Sequence, residues 1–226
     1  MKRVLFAGTM LSALAFGFTA NAQSPLDMNA PLVGKQAGTF MVRARAIGVI
    51  PENNSSSISV IGGHVDATAQ AAPELDLSYF LTDNIAFELI AATTRHEVSA
   101  SGSSLAQGGK VDVGSVWALP PSLTVQYHFL PHAAFSPYVG VGFDLMVFYG
   151  AQPAGPAVTH VSFGNNVGPV IQAGIDYNVS GHWFANFDVK QIFVNTDAHV
   201  DALGTTVKAH TALDPLVIGM GIGYRF

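Results

Sequence analysis

Apolar side chains in this chain recur at every second position through eight separate stretches. The last is the clearest: Leu216, Ile218, Met220, Ile222, Tyr224 and Phe226 alternate with Val217, Gly219, Gly221, Gly223 and Arg225. A period of two puts the two sets on opposite faces of a strand. The apolar face runs to the terminal aromatic, and a strand that crosses a bilayer needs about 9–11 residues with aromatic girdles at its ends. The same alternation predicts strands over 39–50, 71–81, 85–96, 116–129, 137–149, 167–177, 183–193 and 214–226. Their second faces carry Arg43, Arg45, Glu88, Gln126, His128, Asp144, Asp176, Asn186, Asp188, Lys190 and Arg225. The expected fold is all-β, an eight-stranded antiparallel transmembrane β-barrel, apolar outside and charged within. The connections agree. Residues 82–84, 130–136 and 178–182 are short, and 51–70, 97–115, 150–166 and 196–212 are long and rich in Gly, Ser, Ala and Asn. Short periplasmic turns and long extracellular loops are the usual asymmetry of such barrels.

Composition narrows the reading. Hydrophobic residues make up 49% of the chain and charged ones 11%. No apolar run in the body approaches the ~20 residues of a membrane helix. Lys2 and Arg3, the apolar stretch 4–18 and Ala20-Asn21-Ala22 form a secretory signal with an A-x-A cleavage site. Residues 1–22 are therefore expected to be removed, and 23–226 to form one barrel domain. Loss of Lys2 and Arg3 leaves 8 basic against 15 acidic residues, a net charge of −7. No basic patch is present to gather phosphates, which argues against a nucleic-acid partner. There is no cysteine, so no disulfide serves the exported protein. The eight histidines are dispersed, without ligand spacing, and no metal or other cofactor is expected. Gly219, Gly221 and Gly223 lie within a strand with no helix after them, unlike a nucleotide loop. Residues 23–37 read as a flexible periplasmic lead-in.

Several segments together resemble the outer-membrane protein W (OmpW) family, which includes alkane-uptake porins. They are PELDLSYFLTDNI at 73–85 with Glu88 and Leu89, LPPSLTVQYHF at 119–129, PYVGVG at 137–142, QAGIDY at 172–177, and Asp214-Pro215 with the terminal GYRF. They span nearly the whole mature chain in family order. The resemblance implies an eight-stranded barrel of the bacterial cell outer membrane, associated with uptake of small hydrophobic molecules. It also implies recognition of the terminal strand by the barrel-assembly machinery. A Trp that helps close a hydrophobic gate in the family's third outer loop has no counterpart in 151–165, which leaves the gate residue open.

The inward residues sort by height. A polar floor is expected from Arg43, Arg45, Glu88, His128, Asp176, Asp188, Lys190 and Arg225, with both signs present for mutual pairing. Above it lie Ile47, Val49, Met146, Phe148, Val170, Ile192 and Val217, an apolar cup that can take a hydrophobic ligand. Glu74 and Asp76 fall near the boundary. A small barrel has room for its own side chains or one small ligand, not a broad aqueous channel. A solute stopped by the floor would leave sideways into the bilayer. Pro51, Pro120 and Pro121 lack the ladder N–H and are candidates for a lateral opening. Two other readings stand beside passive uptake. One is a structural or surface-interaction barrel without transport. The other is a membrane enzyme, for which His96, Ser99, Ser101 and His210 offer components in no recognisable order; an enzyme is not expected. Deletion of Phe226 should lower the yield of heat-modifiable barrel in the outer membrane. A normal yield would show that the terminal aromatic is dispensable for assembly.

Overall fold

The structure, a computed structural model, describes residues 31–52, 56–58, 64–102, 109–155, 158–202 and 205–226. The expected signal sequence lies outside them. In chain order the strands are β1 (Phe40–Ile50), β2 (Ser56–Ile58), β3 (His64–Ala67), β4 (Gln70–Phe80) and β5 (Ile85–Ala92). Next come β6 (Thr94–Ser101), β7 (Lys110–Leu119), β8 (Ser122–His128), β9 (Phe135–Pro153) and β10 (Val158–Phe163). The last are β11 (Asn166–Ser180), β12 (Trp183–Ile192), β13 (Asn195–Ala202), β14 (Thr205–Ala212) and β15 (Leu216–Arg225).

Eight of them close a ring in the order β1-β4-β5-β8-β9-β11-β12-β15, and β15 pairs back onto β1 from Met41↔Arg225 to Ile50↔Leu216. Every neighbour is antiparallel. Closure leaves no sheet edge facing lipid, which bilayer hydrocarbon demands because it cannot satisfy a free N–H or C=O. The register is the one that the alternation predicts. Phe143 is 67% exposed and Val141 62%, whereas Asp188 and Arg225 are each 1% exposed. A slip of one residue would reverse both sets.

The described residues of the long connections add to the sequence reading, since most of them form further strands. β6 and β7 form a hairpin that pairs with β3 and with the outer half of β9, while β10, β13, β14 and β2 form a separate four-stranded sheet. Their inner faces meet in an apolar cluster that includes Val98, Val116, Val161, Ala198 and Val207. Gly- and Ser-rich composition masked these strands. The apolar residues of that cluster are small valines and alanines, with Thr94, Ser99, Ser115 and Thr196 also buried on these strands.

The proline pair also divides the predicted strand at 116–129. β7 ends at Leu119 and β8 begins at Ser122, and the predicted strand at 85–96 is likewise interrupted at Thr93. The β5–β8 ladder stops at Ile90↔Ser122, and the β6–β7 ladder resumes at Thr94↔Ala118. Between them, Ala91 to Thr93 face Leu119 to Pro121 with no pairing among the described residues. Pro120 and Pro121 bring no N–H to that seam. On the other side the wall stays stitched, because Leu145 N donates to Pro121 O at 3.0 Å.

Glycine on the inner face makes room for large inward side chains. A Cβ on Gly223 would overlap the Phe184 ring, and one on Gly174 would overlap Tyr138. The alternating glycines of β15 thus let the barrel interior fill with aromatic and guanidinium groups. At the outer end of β15, Asp214 takes a left-handed φ of 29°, and its carboxylate accepts from Val194 N at 2.8 Å.

Candidate functional site: a hydrophobic cavity above an ion-paired floor

The floor is built on β1, whose inward positions include Arg43 and Arg45. Arg43 lies 2.8 Å from Asp76, 2.9 Å from Glu88 and 3.4 Å from Asp176. Arg45 reaches Glu74 at 2.7 Å, Asp76 at 3.0 Å and Asn186 at 3.1 Å. Lys190 pairs with Asp188 at 2.9 Å and with Glu74 at 3.3 Å. Tyr138 donates to Asp188 at 2.8 Å, and Gln172 donates to Glu88 at 2.8 Å. The side chains of Arg43, Arg45, Asp76, Glu88 and Asp176 are fully enclosed. Buried charges are tolerated only when paired and hydrogen-bonded, and here the opposing strands supply partners for each. Glu74 and Asp76, which the height sorting left at a boundary, are members of this network.

Sequence reasoning missed Lys35. The described part of the predicted flexible lead-in, 31–37, is anchored against the periplasmic end of the barrel. Lys35 is completely buried, with Nζ 2.8 Å from Asp176, 2.6 Å from Ser136 Oγ and 2.8 Å from His128 Nδ1. An ammonium can only donate, so His128 Nδ1 accepts and its Nε2–H donates to Gln126 Oε1 at 3.0 Å. Arg225 joins this end of the plug. It donates to Val33 O at 2.5 Å and stacks 4.6 Å over the Phe184 ring. Lys35 lies before the first alternating stretch, so no periodicity could have marked it.

Above the floor opens a cavity with mostly apolar walls. Ile47, Val49, Met146, Phe148, Ile192 and Val217 all line it, as do Pro51 and Pro120. Val170 is buried in the same apolar cluster but does not line the cavity, and neither does Pro121. The prolines sit at different seams. Pro120 borders the ladder gap, whereas at Pro51 the β1–β15 pairing continues outward through a Glu52 N to Leu213 O bond of 2.9 Å. The cavity also extends upward between Val65, Val98, Val116 and Ala198 of the extracellular strands. Phe148 packs against both apolar clusters, and its ring lies 5.5 Å from that of Phe163. Phe163 is the sole Phe, Trp or Tyr in 151–165, which was the available signal for it.

A few polar groups interrupt the apolar wall. His96 Nδ1 lies 2.8 Å from Thr68 O, so that nitrogen is the donor, and Nε2 accepts from the Thr94 hydroxyl at 2.8 Å. Burial pushes the His96 imidazole below the ordinary histidine range, against the opposing pull of the Thr68 bond. It is therefore neutral at pH 7. Of His96, Ser99, Ser101 and His210, only His96 lines the cavity; Ser101 donates to Asp66, and the His210 imidazole lies 2.7 Å from the exposed Asp197 carboxylate.

Lys35→Met should destabilise the barrel by about 1–3 kcal/mol, since it removes one of the two buried cations that face Asp176 and leaves Arg43 as the other. Urea unfolding in liposomes measures this, and an unchanged midpoint would show that the segment contributes nothing.

The OmpW family model matches residues 36–226. An uncharacterized outer-membrane protein of Sinorhizobium fredii, y4mB, is 40% identical over 224 residues, covering 95% of each chain. Outer membrane protein W of Vibrio cholerae is 30% identical over 204 residues, covering 88% of this chain and 93% of that one. The crystal structure of OprG from Pseudomonas aeruginosa superposes with a TM-score of 0.78 at 26% identity, over 87% of this chain and 99% of that one. The closed barrel, its inward charges and these matches together show that the chain belongs to the OmpW family of outer-membrane proteins.

Proposed function

We propose that this barrel carries small hydrophobic molecules passively across the outer leaflet region and releases them sideways into the bilayer. The observation that carries the reading is the apolar cavity, which opens beside a gap in the wall and is closed below by the ion-paired floor. A solute that enters between the extracellular strands meets Phe148 and Phe163, then the apolar walls of Ile47, Val49, Met146, Ile192 and Val217. Descent past the floor would break buried ion pairs, each at a cost of about 3–5 kcal/mol. The wall beside Pro120 lacks ladder hydrogen bonds, so parting it there costs least. The family resemblance to alkane-uptake porins supports the same direction. A surface-interaction role would need no such cavity.

Phe148 and Phe163 take the place of the Trp gate that the family's outer loop can carry. A charge at this neck strands an unpaired carboxylate among apolar groups, which costs several kcal/mol, in the range of about 2–7 for a buried unpaired polar group and more for a charge. Phe148→Asp should therefore slow entry of a hydrophobic probe into proteoliposomes at least about tenfold. It should leave hydrophilic-solute permeability unchanged, and Gln152→Asp at the exposed outer end of β9 should have little effect. Heat-modifiability gels confirm folding. Folded Phe148→Asp that transports like wild type would reduce the cavity to packing and favour the surface-interaction reading.

A further inference from the structure

The hydroxyls on the cavity wall share one orientation. Thr94 donates to His96 Nε2, Ser122 donates to Asp144 at 2.5 Å, and Thr196 donates to Gly164 O at 2.8 Å. Each hydroxyl proton is thus committed to a partner in the wall, and lone pairs remain for anything in the cavity. Glu74, at the bottom, is a further acceptor. The donor at the bottom is Lys190, whose ammonium has three N–H groups, two of them engaged by Glu74 and Asp188.

We infer that the cavity prefers an apolar molecule with a single hydroxyl, such as a medium-chain alcohol, over the matching hydrocarbon or carboxylate. This deepens the uptake reading and rests on it. The hydroxyl is the group that fits both kinds of partner. Its proton goes to Ser122 Oγ, and its oxygen accepts from Lys190. A hydrocarbon leaves those groups unmet. A carboxylate could take the third N–H of Lys190, but it brings no proton to Ser122 Oγ and lies beside Glu74 and Asp188, whose negative charges already answer that ammonium. The tail lies upward among Ile47, Val217 and Met146, which matches the division between a polar bottom and apolar walls.

The test is methyl-detected NMR on the full barrel in lipid nanodiscs, titrated with 1-octanol, octane and octanoate, with affinities referred to the lipid-dissolved concentration. Shifts at the Ile47, Ile192, Val217 and Met146 methyls report occupancy. Octanol should bind about fivefold or more tighter than octane, the net worth of one buried hydrogen bond, and octanoate weakest. Ser122→Ala should bring the octanol-to-octane ratio toward one. Glu74→Gln removes the anion and should strengthen octanoate relative to octane. Equal binding of octanol and octane by the wild type, or octanoate binding as well as octanol, overturns this proposal and leaves hydrophobic uptake standing. Binding of none of the three overturns the uptake reading itself, and this inference with it. Should either variant fail to fold, the wild-type comparison of three ligands decides alone.

Discussion

The pairing of Arg43 and Arg45 with carboxylates from facing strands is the constraint on which the structure turns. An eight-stranded ring leaves a lumen that side chains can fill. Two guanidinium groups placed there by β1 cannot remain without counter-charges, because an isolated buried charge would cost far more than the whole protein's stability. Asp76, Glu88 and Asp176 answer Arg43 from β4, β5 and β11, and Glu74 and Asp76 answer Arg45. Glycine on the inner face of β15 and β11 clears space for the rings of Phe184 and Tyr138 around them. The result is a cross-braced floor that fixes strand register from within, while lipid fixes it from without.

The floor divides the interior into two environments. Below it, the segment at 31–37 is drawn in and its Lys35 completes the coordination of Asp176. Above it, inward positions no longer need charge and turn apolar, so a cavity forms where the barrel passes into the extracellular sheets. The same level coincides with Pro120 and Pro121, where two residues without N–H interrupt the seam toward β5. An apolar chamber, a closed bottom and an unstitched side wall are thus consequences of neighbouring features in one structure.

Much of this was readable in the residues. Strict alternation fixed which side chains face lipid, because a pleated strand leaves no other choice, and the eight barrel strands with their register followed. Alternation placed the expected floor residues inside the barrel for the same reason, and six of the seven residues expected in the apolar cup line the cavity. What alternation does not carry was misjudged. The strands of the extracellular sheets hid in Gly- and Ser-rich sequence, since the valines and alanines of their cluster are small and polar residues are buried on the same strands. Lys35 precedes any periodic stretch, and its burial depends on Asp176, 141 positions away in the chain. The proline pair was recognised as a weak point, but only the fold shows that the break lies on the β5 side and that Pro51 belongs to a different seam. Phe163 could have been singled out as the lone Phe, Trp or Tyr of 151–165, yet its ring contact with Phe148 depends on how β10 packs over the barrel.

The central claim is that the apolar chamber is a binding site rather than packing. Intermolecular NOEs measure this directly, between a hydrophobic probe such as naphthalene and the methyl groups of the otherwise deuterated barrel, held in nanodiscs of deuterated lipid. The account predicts cross-peaks from the probe to inward methyls of Ile47, Met146, Ile192 and Val217, stronger than those to the outward methyls of Leu123 and Val141. Cross-peaks confined to the outward methyls would contradict it, because the probe would then reside in the bilayer and the chamber would be closed to it.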